Sequence, residues 1–437
     1  TPFNSEAVVF NFDRARLTSF PFRNTRAIAD DYDYYQSMWG GFDDASLLLK
    51  VEAFDRLTVR FTTRTPFGPF LPTIAMATFG MVSPASIKAD RDGWMLATSS
   101  SAAGTGPFMF TPGSWVKGDE IVLVRNPSYW RTDDRGQQLP YVDRVRLRTI
   151  TDPGFRVAAL RGGQVDAIRD FSPADMPLLK SDPKVTLLDR SPNNIGYLRF
   201  NTTHPPLDKP EVRKALAMAV DRGALIGSVF TGFASPASQF LVPGMLGYDD
   251  SVREFQPFDV EGARRLLIAA NAAQFELDLW YMDVARPYFP DPRRAAETIA
   301  TDLRRLGITV VLRSIDFASY RDRAKRNQLQ AWLLGWTGDN GDPDNFLCVL
   351  FCNTTQNGAW SDQSAQQAVG LLHDAATETE PARRADLYRR ASRVVQKSVP
   401  AVPIAHADVP VAASTFVSGY VPHPKGSESF ALVRIAR

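Results

Sequence analysis

Two short stretches of the sequence place opposite charges at the ends of predicted strands. The segment GWTGDNGDPDNF, residues 335–346, follows the apolar run AWLL and contains three aspartates, among them Asp339. The segment DVARPYFP, which contains Arg286, follows the strand-like run FELDLWYM. A guanidinium binds a carboxylate through two parallel hydrogen bonds, and a carboxylate binds an ammonium group. If both strands end at one edge of a sheet, Arg286 and Asp339 together suit a small zwitterionic ligand.

The other aspartates of this loop have a simpler explanation. Asp342 and Asp344 precede a predicted helix, where short acidic side chains cap helices and close turns. A calcium loop counted from Asp339 would need a glycine where Asp344 stands and a glutamate where Leu350 stands. The sequence therefore predicts a structural role for Asp342 and Asp344, and no calcium site.

Patterns typical of enzymes, cofactors and metal sites are absent from the sequence. The glycines of GTGPF lack the third glycine of a dinucleotide-binding loop, because Met109 occupies its position. The sequence has no Walker loop and no nucleophile elbow. The histidines do not form zinc-binding pairs, and each is expected at or near the surface. They are His204, His373, His406 and His423. We therefore expect no enzyme, no cofactor and no metal site.

The two cysteines, Cys348 and Cys352, are four residues apart. On a helix they would share a face, but helix geometry holds their Cβ atoms too far apart for an easy disulfide. Free cysteines are commonly buried as small apolar residues. The spacing therefore favours two buried thiols.

The size and charge of the chain limit its architecture and its partners. A chain of 437 residues exceeds one ordinary core, which predicts two domains or lobes. The 50 basic and 48 acidic residues give no reason to expect nucleic acid or an anionic membrane as a partner. No apolar run approaches the roughly 18 to 20 residues that span a bilayer. The opening TPFNSEAVVFNF does not have the pattern of a signal peptide.

Strands and helices alternate in the second half of the chain. FELDLWYM, ITVVLRSI and LQAWLLGW predict strands, and DPRRAAETIATDLRRLG and FASYRDRAKRNQ predict the helices between them. This order predicts a mostly parallel sheet flanked by helices, in which ligands bind at the carboxyl ends of the strands. Arg286 and Asp339 lie at such ends. Upstream, DKPEVRKALAMAVDR predicts a helix with a capping box formed by Asp208 and Glu211.

Several motifs resemble those of the peptide/nickel class of extracellular solute-binding proteins, which serve ABC importers. GTGPF and RNPSYW are typical of the whole class, and the pairing of RPY with GWTGDNGDPDN is similar to its periplasmic dipeptide-binding branch. The match extends from NSEAVVFNFDRARL to GYVPHPKGSESFALVRI. The resemblance implies an α/β fold of the type II flytrap kind, with two lobes and mixed sheets that close on the ligand.

The resemblance also implies the roles of individual residues. It implies that Asp339 receives the free amino group of a peptide and that Arg286 receives its terminal carboxylate. The other residues that it places at the pocket are Tyr288, Trp336 and Gly338 in the second lobe, and Tyr32 and Tyr34 in the first.

The same resemblance divides the chain into lobes. Lobe I is expected to comprise residues 1–195 and 410–437, and lobe II residues 196–409. Members of the class begin with a longer segment, before the point matching NSEAVVFNFD, that contributes strands to lobe I. We therefore expect a trimmed chain, a naturally short paralogue, or a separate chain that supplies the segment and covers exposed sheet edges.

These observations predict the substrate-binding component of an ABC importer. It would capture dipeptides or short peptides in the periplasm and deliver them to permease subunits in the membrane. Haem, glutathione or an antimicrobial peptide would suit other members of the class, and loss of transport would leave an interaction protein. Arg286 and Asp339 together favour a zwitterionic peptide over these alternatives.

Overall fold

The computed structural model describes residues 2–23, 32–89, 103–111, 113–356, 358–408 and 410–436. The helices are α1 Ser5–Arg16, α2 Asp33–Trp39, α3 Phe70–Ile74, α4 Pro84–Ala89, α5 Pro153–Arg161, α6 Met176–Ser181, α7 Pro210–Ala219, α8 Arg222–Leu225, α9 Val260–Ala269, α10 Pro292–Arg304, α11 Phe317–Lys325, α12 Asp344–Phe351, α13 Gln363–Thr377 and α14 Pro381–Ser398. The strands are β1 Leu48–Ala53, β2 Val59–Thr63, β3 Phe108–Met109, β4 Trp115–Val116, β5 Glu120–Arg125, β6 Arg144–Arg148, β7 Ala167–Ile168, β8 Val185–Leu188, β9 Asn194–Phe200, β10 Ala234–Pro236, β11 Glu276–Met282, β12 Thr309–Ile315, β13 Ala331–Thr337, β14 Ala401–Ala407, β15 Val411–Ser414, β16 Val417–Ser418 and β17 Arg434–Ile435. Among the described residues, no helix combines the length and the apolar character needed to cross a membrane.

A six-stranded sheet forms the centre of lobe II, in the order β10-β14-β9-β13-β11-β12. Strand β11 pairs in parallel with both β12 and β13. Strand β9 is antiparallel to β13 and to β14, and β10 is antiparallel to β14. The prediction of a mostly parallel sheet holds for β11 to β13 and is wrong for the other pairs. The sheet is mixed because β9 enters lobe II from lobe I while β14 leads back, so the two run in opposite directions.

Helices pack on this sheet through the apolar faces that the sequence predicts. On α10, the residues at helical spacing from Ala296 to Leu303 are fully buried, and the helix contacts β11 and β12. Every residue of β9 and of β14 is buried. Helix α7 begins at Pro210 with Lys209 as its N-cap and no side-chain cap. The predicted capping box is therefore wrong, because Asp208 lies one residue before the capping position.

Lobe I is built from smaller sheets with separate cores. Strands β7, β15 and β8 form one sheet, β3, β5, β4 and β6 another, and β1 pairs with β2. One core gathers aromatic side chains around Tyr35 and Trp39, and a second lies between α5, α6 and β15 around Leu160 and Leu179. Most of the exposed large apolar side chains among the described residues lie in lobe I, including Phe54, which is 63% exposed.

The chain passes between the lobes twice, once between Leu188 and Asn194 and once between Ala407 and Val411. The side chain of Asn194 joins the two passages. Its Nδ2 donates to the Ala407 carbonyl at 2.9 Å, and its Oδ1 accepts from the Ala407 N–H at 3.0 Å. The chain thus leaves the lobe I sheet and enters the six-stranded sheet close to the predicted boundary 195/196, and it returns close to the boundary 409/410. The exact lobe ranges stay a prediction.

Candidate functional site

Arg286 and Tyr288 are held by a closed turn after β11. The N–H of Arg286 donates to the Phe289 carbonyl at 3.0 Å, and the N–H of Phe289 donates to the Arg286 carbonyl at 2.9 Å. Pro287 lies inside this turn and restricts its backbone further. The turn therefore fixes both side chains at the carboxyl end of β11.

Two glycines let this turn pack directly on the neighbouring strands. A Cβ atom added at Gly335 of β13 would lie 2.2 Å from Cγ of Tyr288, and one at Gly196 of β9 would lie 2.6 Å from the Tyr288 carbonyl oxygen. Only glycine allows such an approach at these positions. Burial raises the pKa of the Tyr288 hydroxyl, and the charges of Arg286 and Arg321 oppose that rise. The structure therefore packs Tyr288 directly on β13 and β9, and its predicted role in lining the pocket stays a prediction.

Asp339 lies two residues beyond the end of β13 and is held by Asn345. The Asp339 N–H donates to Asn345 Oδ1 at 2.7 Å, and Asn345 Nδ2 donates to Asp339 Oδ2 at 3.2 Å. Trp336 Nε1 donates to the same Asn345 Oδ1 at 3.3 Å. The other carboxylate oxygen, Oδ1, accepts a hydrogen bond from the Tyr34 hydroxyl at 3.2 Å. The sequence motifs point to Trp336, Asp339 and Tyr34 but not to Asn345, whose side chain is hydrogen-bonded to the first two.

The carboxyl group of Asp339 is half-buried, and this burial raises its pKa. The hydrogen bonds from Asn345 and Tyr34 oppose the rise, because they stabilise the ionised form. A partly desolvated carboxylate interacts more strongly with a cation than one in bulk water does.

Gly338 connects this loop to the passage between the lobes. Its N–H donates to the Asn193 carbonyl at 2.8 Å, and Asn193 Nδ2 donates to its carbonyl at 2.6 Å. A Cβ atom here would lie 2.4 Å from a ring carbon of Phe346. The structure thus shows why glycine is required at this position, and its predicted role in lining the pocket stays a prediction.

The guanidinium of Arg286 has no anionic partner within the described part of the chain. Its central carbon lies 4.2 Å from the ring centroid of Phe317, the first residue of α11. Its Nε is buried and has no hydrogen-bond partner among the described residues. A guanidinium that stacks on an aromatic ring can still bind a carboxylate through its outer nitrogens.

The two tyrosines predicted in lobe I differ in position. Tyr34 reaches Asp339, whereas the ring of Tyr32 lies 4.1 Å from the guanidinium carbon of Arg23 and packs against the aromatic core of lobe I. The same guanidinium lies 4.3 Å from the ring of Phe42. The structure therefore brings Tyr34 to the carboxylate and assigns Tyr32 a packing contact.

Asp342 closes a turn as expected, whereas the predicted helix cap is wrong for Asp344, because Pro343 is the N-cap of α12 and the helix has no side-chain cap. Asp342 forms a buried two-point ion pair with Arg384, with both N···O distances at 2.7 Å, and it accepts the Asp344 N–H at 2.9 Å. Burial, reinforced by the neighbouring charge of Asp342, raises the pKa of Asp344 to about 6. Asp342 therefore anchors the start of α12 to α14 through Arg384, whereas Oδ1 of Asp344 is buried without a hydrogen-bond partner among the described residues.

The prediction of two free thiols is wrong, since Cys348 and Cys352 form a disulfide. Cys352 lies at the C-cap of α12, one residue past the helix. There the Cα atoms approach to 4.6 Å, within the range that a disulfide requires. Two free thiols would be expected only if a regular helix continued through both positions.

The expectation that every histidine lies near the surface is wrong for His406. This residue belongs to β14, is 1% exposed, and has its Nδ1 2.9 Å from the Asn194 carbonyl oxygen. Burial lowers its pKa to about 4, so the ring is neutral near pH 7. It supports the passage between the lobes.

A separate groove of about 450 Å³ lies on another face of lobe II. Lys214, Asp249, Arg393 and Lys397 are among its lining residues, and it includes none of the predicted site residues. The arrangement at the sheet edge, with one cation after β11 and one anion after the adjacent β13, is the better candidate for a zwitterion.

The sequence profile of the bacterial extracellular solute-binding proteins, family 5 middle region, matches residues 1–358. The chain belongs to this family. Its relatives include Di/tripeptide-binding protein 1 of Pseudomonas aeruginosa, which is 33% identical over 439 residues, covering 100% of this chain and 79% of the relative. The Dipeptide-binding protein of Escherichia coli is 32% identical over 440 residues, with 99% and 79% covered. Heme-binding protein A of Haemophilus influenzae is 33% identical over 434 residues, with 98% and 76% covered.

Solved structures of solute-binding proteins share the fold. HbpA2 from Haemophilus parasuis superposes with a TM-score of 0.85 at 31% identity, covering 100% of this chain and 84% of the other. The dipeptide-binding protein of Pseudoalteromonas sp. SM9913, solved in complex with Met-Leu, gives a TM-score of 0.79 at 26% identity, with 100% and 84% covered. The predicted two-lobed α/β fold of the type II kind, with mixed sheets, is confirmed.

Proposed function

We propose that this solute-binding protein captures dipeptides or other short peptides in the periplasm by their charged termini. It then delivers them to the membrane permease of an ABC importer. Asp339 accepts the free amino group, and Arg286 binds the terminal carboxylate through its forked donors. No bond is made or broken, so the protein acts by binding and release.

The observation that carries this proposal is the placement of one anion and one cation after adjacent parallel strands. Leu279 of β11 pairs with Ala331 of β13, so both strands end at the same edge. Arg286 has no ion partner among the described residues, and Asp339 is fixed by Asn345. Leaving either charge desolvated without a counter-charge costs about 2 to 5 kcal/mol, and a zwitterion supplies both counter-charges at once.

Recognition through the termini explains how one site accepts many peptides. Every peptide carries the same ammonium and carboxylate groups, whereas its side chains differ. The separation of Arg286 and Asp339 then selects length. The Tyr288 ring is packed on Gly335, beside the Arg286 turn, and provides an apolar wall that tolerates varied side chains.

Capture is coupled to closure of the two lobes. The Tyr34 hydroxyl of lobe I donates a hydrogen bond to Asp339 of lobe II. The N–H and the carbonyl of the preceding residue, Gly338, both form hydrogen bonds with Asn193 in the passage between the lobes. A ligand that binds Asp339 therefore acts on a residue that both lobes already contact. Hinged closure around a ligand is the usual motion of two-lobed binding proteins.

Haem is the second candidate cargo, because Heme-binding protein A is as similar to this chain as the peptide-binding relatives are. Haem carries two propionates and no ammonium. Its anionic groups would suit Arg286, but Asp339 would gain no cationic partner. The charge pattern therefore favours a peptide.

Thermal unfolding with Ala-Ala, with haemin and without ligand tests the proposal. A ligand at one hundred times its Kd stabilises the folded state by about 2.7 kcal/mol. We expect Ala-Ala to raise Tm and haemin to leave it unchanged. A rise with haemin alone would reject the peptide assignment.

A further inference from the structure

A second guanidinium lies beside the proposed carboxylate site. Arg321 follows Phe317 by four residues on α11, so both project from the same helix face. The guanidinium carbon of Arg321 lies 6.0 Å from the Phe317 ring centroid, and that of Arg286 lies 4.2 Å from it. One aromatic ring is therefore shared by two cations from different elements.

These two cations are not neutralised within the described part of the chain. Neither Arg286 nor Arg321 forms an ion pair there. The acidic residues of α11 and its cap are engaged elsewhere, because Asp316 caps the helix through the Ser319 N–H at 3.0 Å and Asp322 pairs with Arg326 at 3.1 Å. Both guanidinium charges also act on the Tyr288 hydroxyl. Two guanidinium groups without an ion pair among the described residues therefore lie beside Tyr288.

The location of Arg321 follows from the sheet. Helix α11 begins directly after β12, which is the parallel neighbour of β11. The start of α11 and the turn that carries Arg286 therefore lie at the same edge. Arg321 is exposed, so its side chain is free to reach a ligand bound by Arg286.

We propose that Arg321 and Arg286 form a subsite for two neighbouring carboxylates, so that this protein prefers peptides whose last residue is aspartate or glutamate. The inference rests on the proposed function, in which Arg286 binds the terminal carboxylate. An acidic last residue places its side-chain carboxylate on the same residue as the terminal one. Arg286 then binds the terminal group while Arg321 meets the side chain.

Calorimetric titration with Ala-Gln and Ala-Glu tests this subsite, because the two peptides differ in one charge at nearly equal size. We expect the wild-type protein to bind Ala-Glu about fivefold more tightly, the scale of one exposed ion pair. Arg321→Gln should remove this preference and leave Ala-Gln affinity unchanged. The matched control is Lys325→Gln, which removes a cation from the last turn of the same helix without breaking the Asp322–Arg326 ion pair and should keep the preference.

Charge reversal and salt provide independent readouts. Arg321→Glu should prefer Ala-Lys over Ala-Glu, and raising the salt concentration should shrink the wild-type preference, because exposed charges are screened. Equal affinities for Ala-Gln and Ala-Glu in the wild-type protein would reject the subsite while leaving peptide binding intact. Failure of both peptides to bind would instead reject the proposed function.

Two neighbouring carboxylates could come from an acidic peptide or from the propionates of haem. Haemin distinguishes these ligands, because it carries two propionates and no ammonium group. We expect it not to displace Ala-Glu. Competitive displacement that is lost in Arg321→Gln would overturn the assignment of the subsite to an acidic peptide side chain.

Discussion

The hydroxyl of Tyr34 donates a 3.2 Å hydrogen bond to Oδ1 of Asp339, joining residues 305 positions apart in the chain. Tyr34 lies on α2 in lobe I, and Asp339 lies in the loop after β13 in lobe II. The carboxylate proposed to bind the ligand is thus also a contact between the lobes. The proposed function therefore assigns ligand binding and a contact between the lobes to the same carboxylate.

Replacing Tyr34 with phenylalanine should weaken binding of Ala-Ala about three- to tenfold, because one hydrogen bond to a carboxylate is lost at a partly exposed site. Calorimetric titration measures this loss. The matched control is Tyr141→Phe, which removes the bond from Tyr141 to Asp133 in lobe I, at 2.5 Å, and should leave affinity unchanged. Equal affinities for Tyr34→Phe and the wild type would show that this contact takes no part in capture.

Replacing Asn345 with aspartate should weaken Ala-Ala binding more than tenfold at pH 7. A second carboxylate beside Asp339 would raise the Asp339 pKa further and remove the donor to Oδ2. The control is Asn353→Asp, at an exposed residue after α12 whose Oδ1 accepts a hydrogen bond from the Thr355 N–H. This variant should bind Ala-Ala with wild-type affinity. Wild-type affinity in Asn345→Asp would show that the Asn345 donor is not needed to orient Asp339 for binding.

Replacing Arg286 with lysine should also weaken binding of Ala-Ala, because a point charge lacks the fork that grips a carboxylate and does not stack on Phe317 in the same way. Binding of the C-terminally amidated dipeptide should be weak and nearly equal in both proteins. If calorimetry finds that the substitution weakens both peptides alike, Arg286 does not bind the terminal carboxylate.

The buried carboxyl group of Asp344 should make the free energy of unfolding depend on pH. Its raised pKa means that the folded state holds the proton more tightly than the unfolded state does, so stability falls as pH rises from about 4 to about 6 and stays reduced above that. The cost is at most about 3 kcal/mol. Asp344→Asn should therefore increase the free energy of unfolding in urea at pH 7.5 and lose this advantage near pH 4.

The exposed Asp386→Asn is the control for this stability measurement and should change little at either pH. A destabilised Asp344→Asn protein at pH 7.5 would show that the ionised carboxylate stabilises the start of α12.

Much of the candidate site follows from local sequence, because strand ends and glycine-rich loops have strong signatures. Arg286 and Asp339 follow β11 and β13, as the apolar runs predict. The same rule could have identified Phe317 and Arg321, which follow the predicted strand ITVVLRSI at the same edge. They were missed because neither belongs to a motif of the class.

Other features depend on tertiary packing that local patterns do not encode. Asn345 resembles an ordinary residue in the first turn of a helix, and only the folded loop brings its amide to Asp339. The Cys348–Cys352 disulfide depends on where α12 ends. His406 is buried because β14 lies between β9 and β10 and is covered on both faces, which a short strand does not reveal.

The central claim is that Asp339 binds the free amino group of a peptide. Calorimetric titration of the wild type and of Asp339→Asn with Ala-Ala and with N-acetyl-Ala-Ala tests it most directly. The account predicts that the substitution weakens Ala-Ala at least about tenfold and leaves the weak binding of the acetylated peptide nearly unchanged. Equal losses for the two peptides would contradict it, because the substitution would then act without regard to the ammonium group.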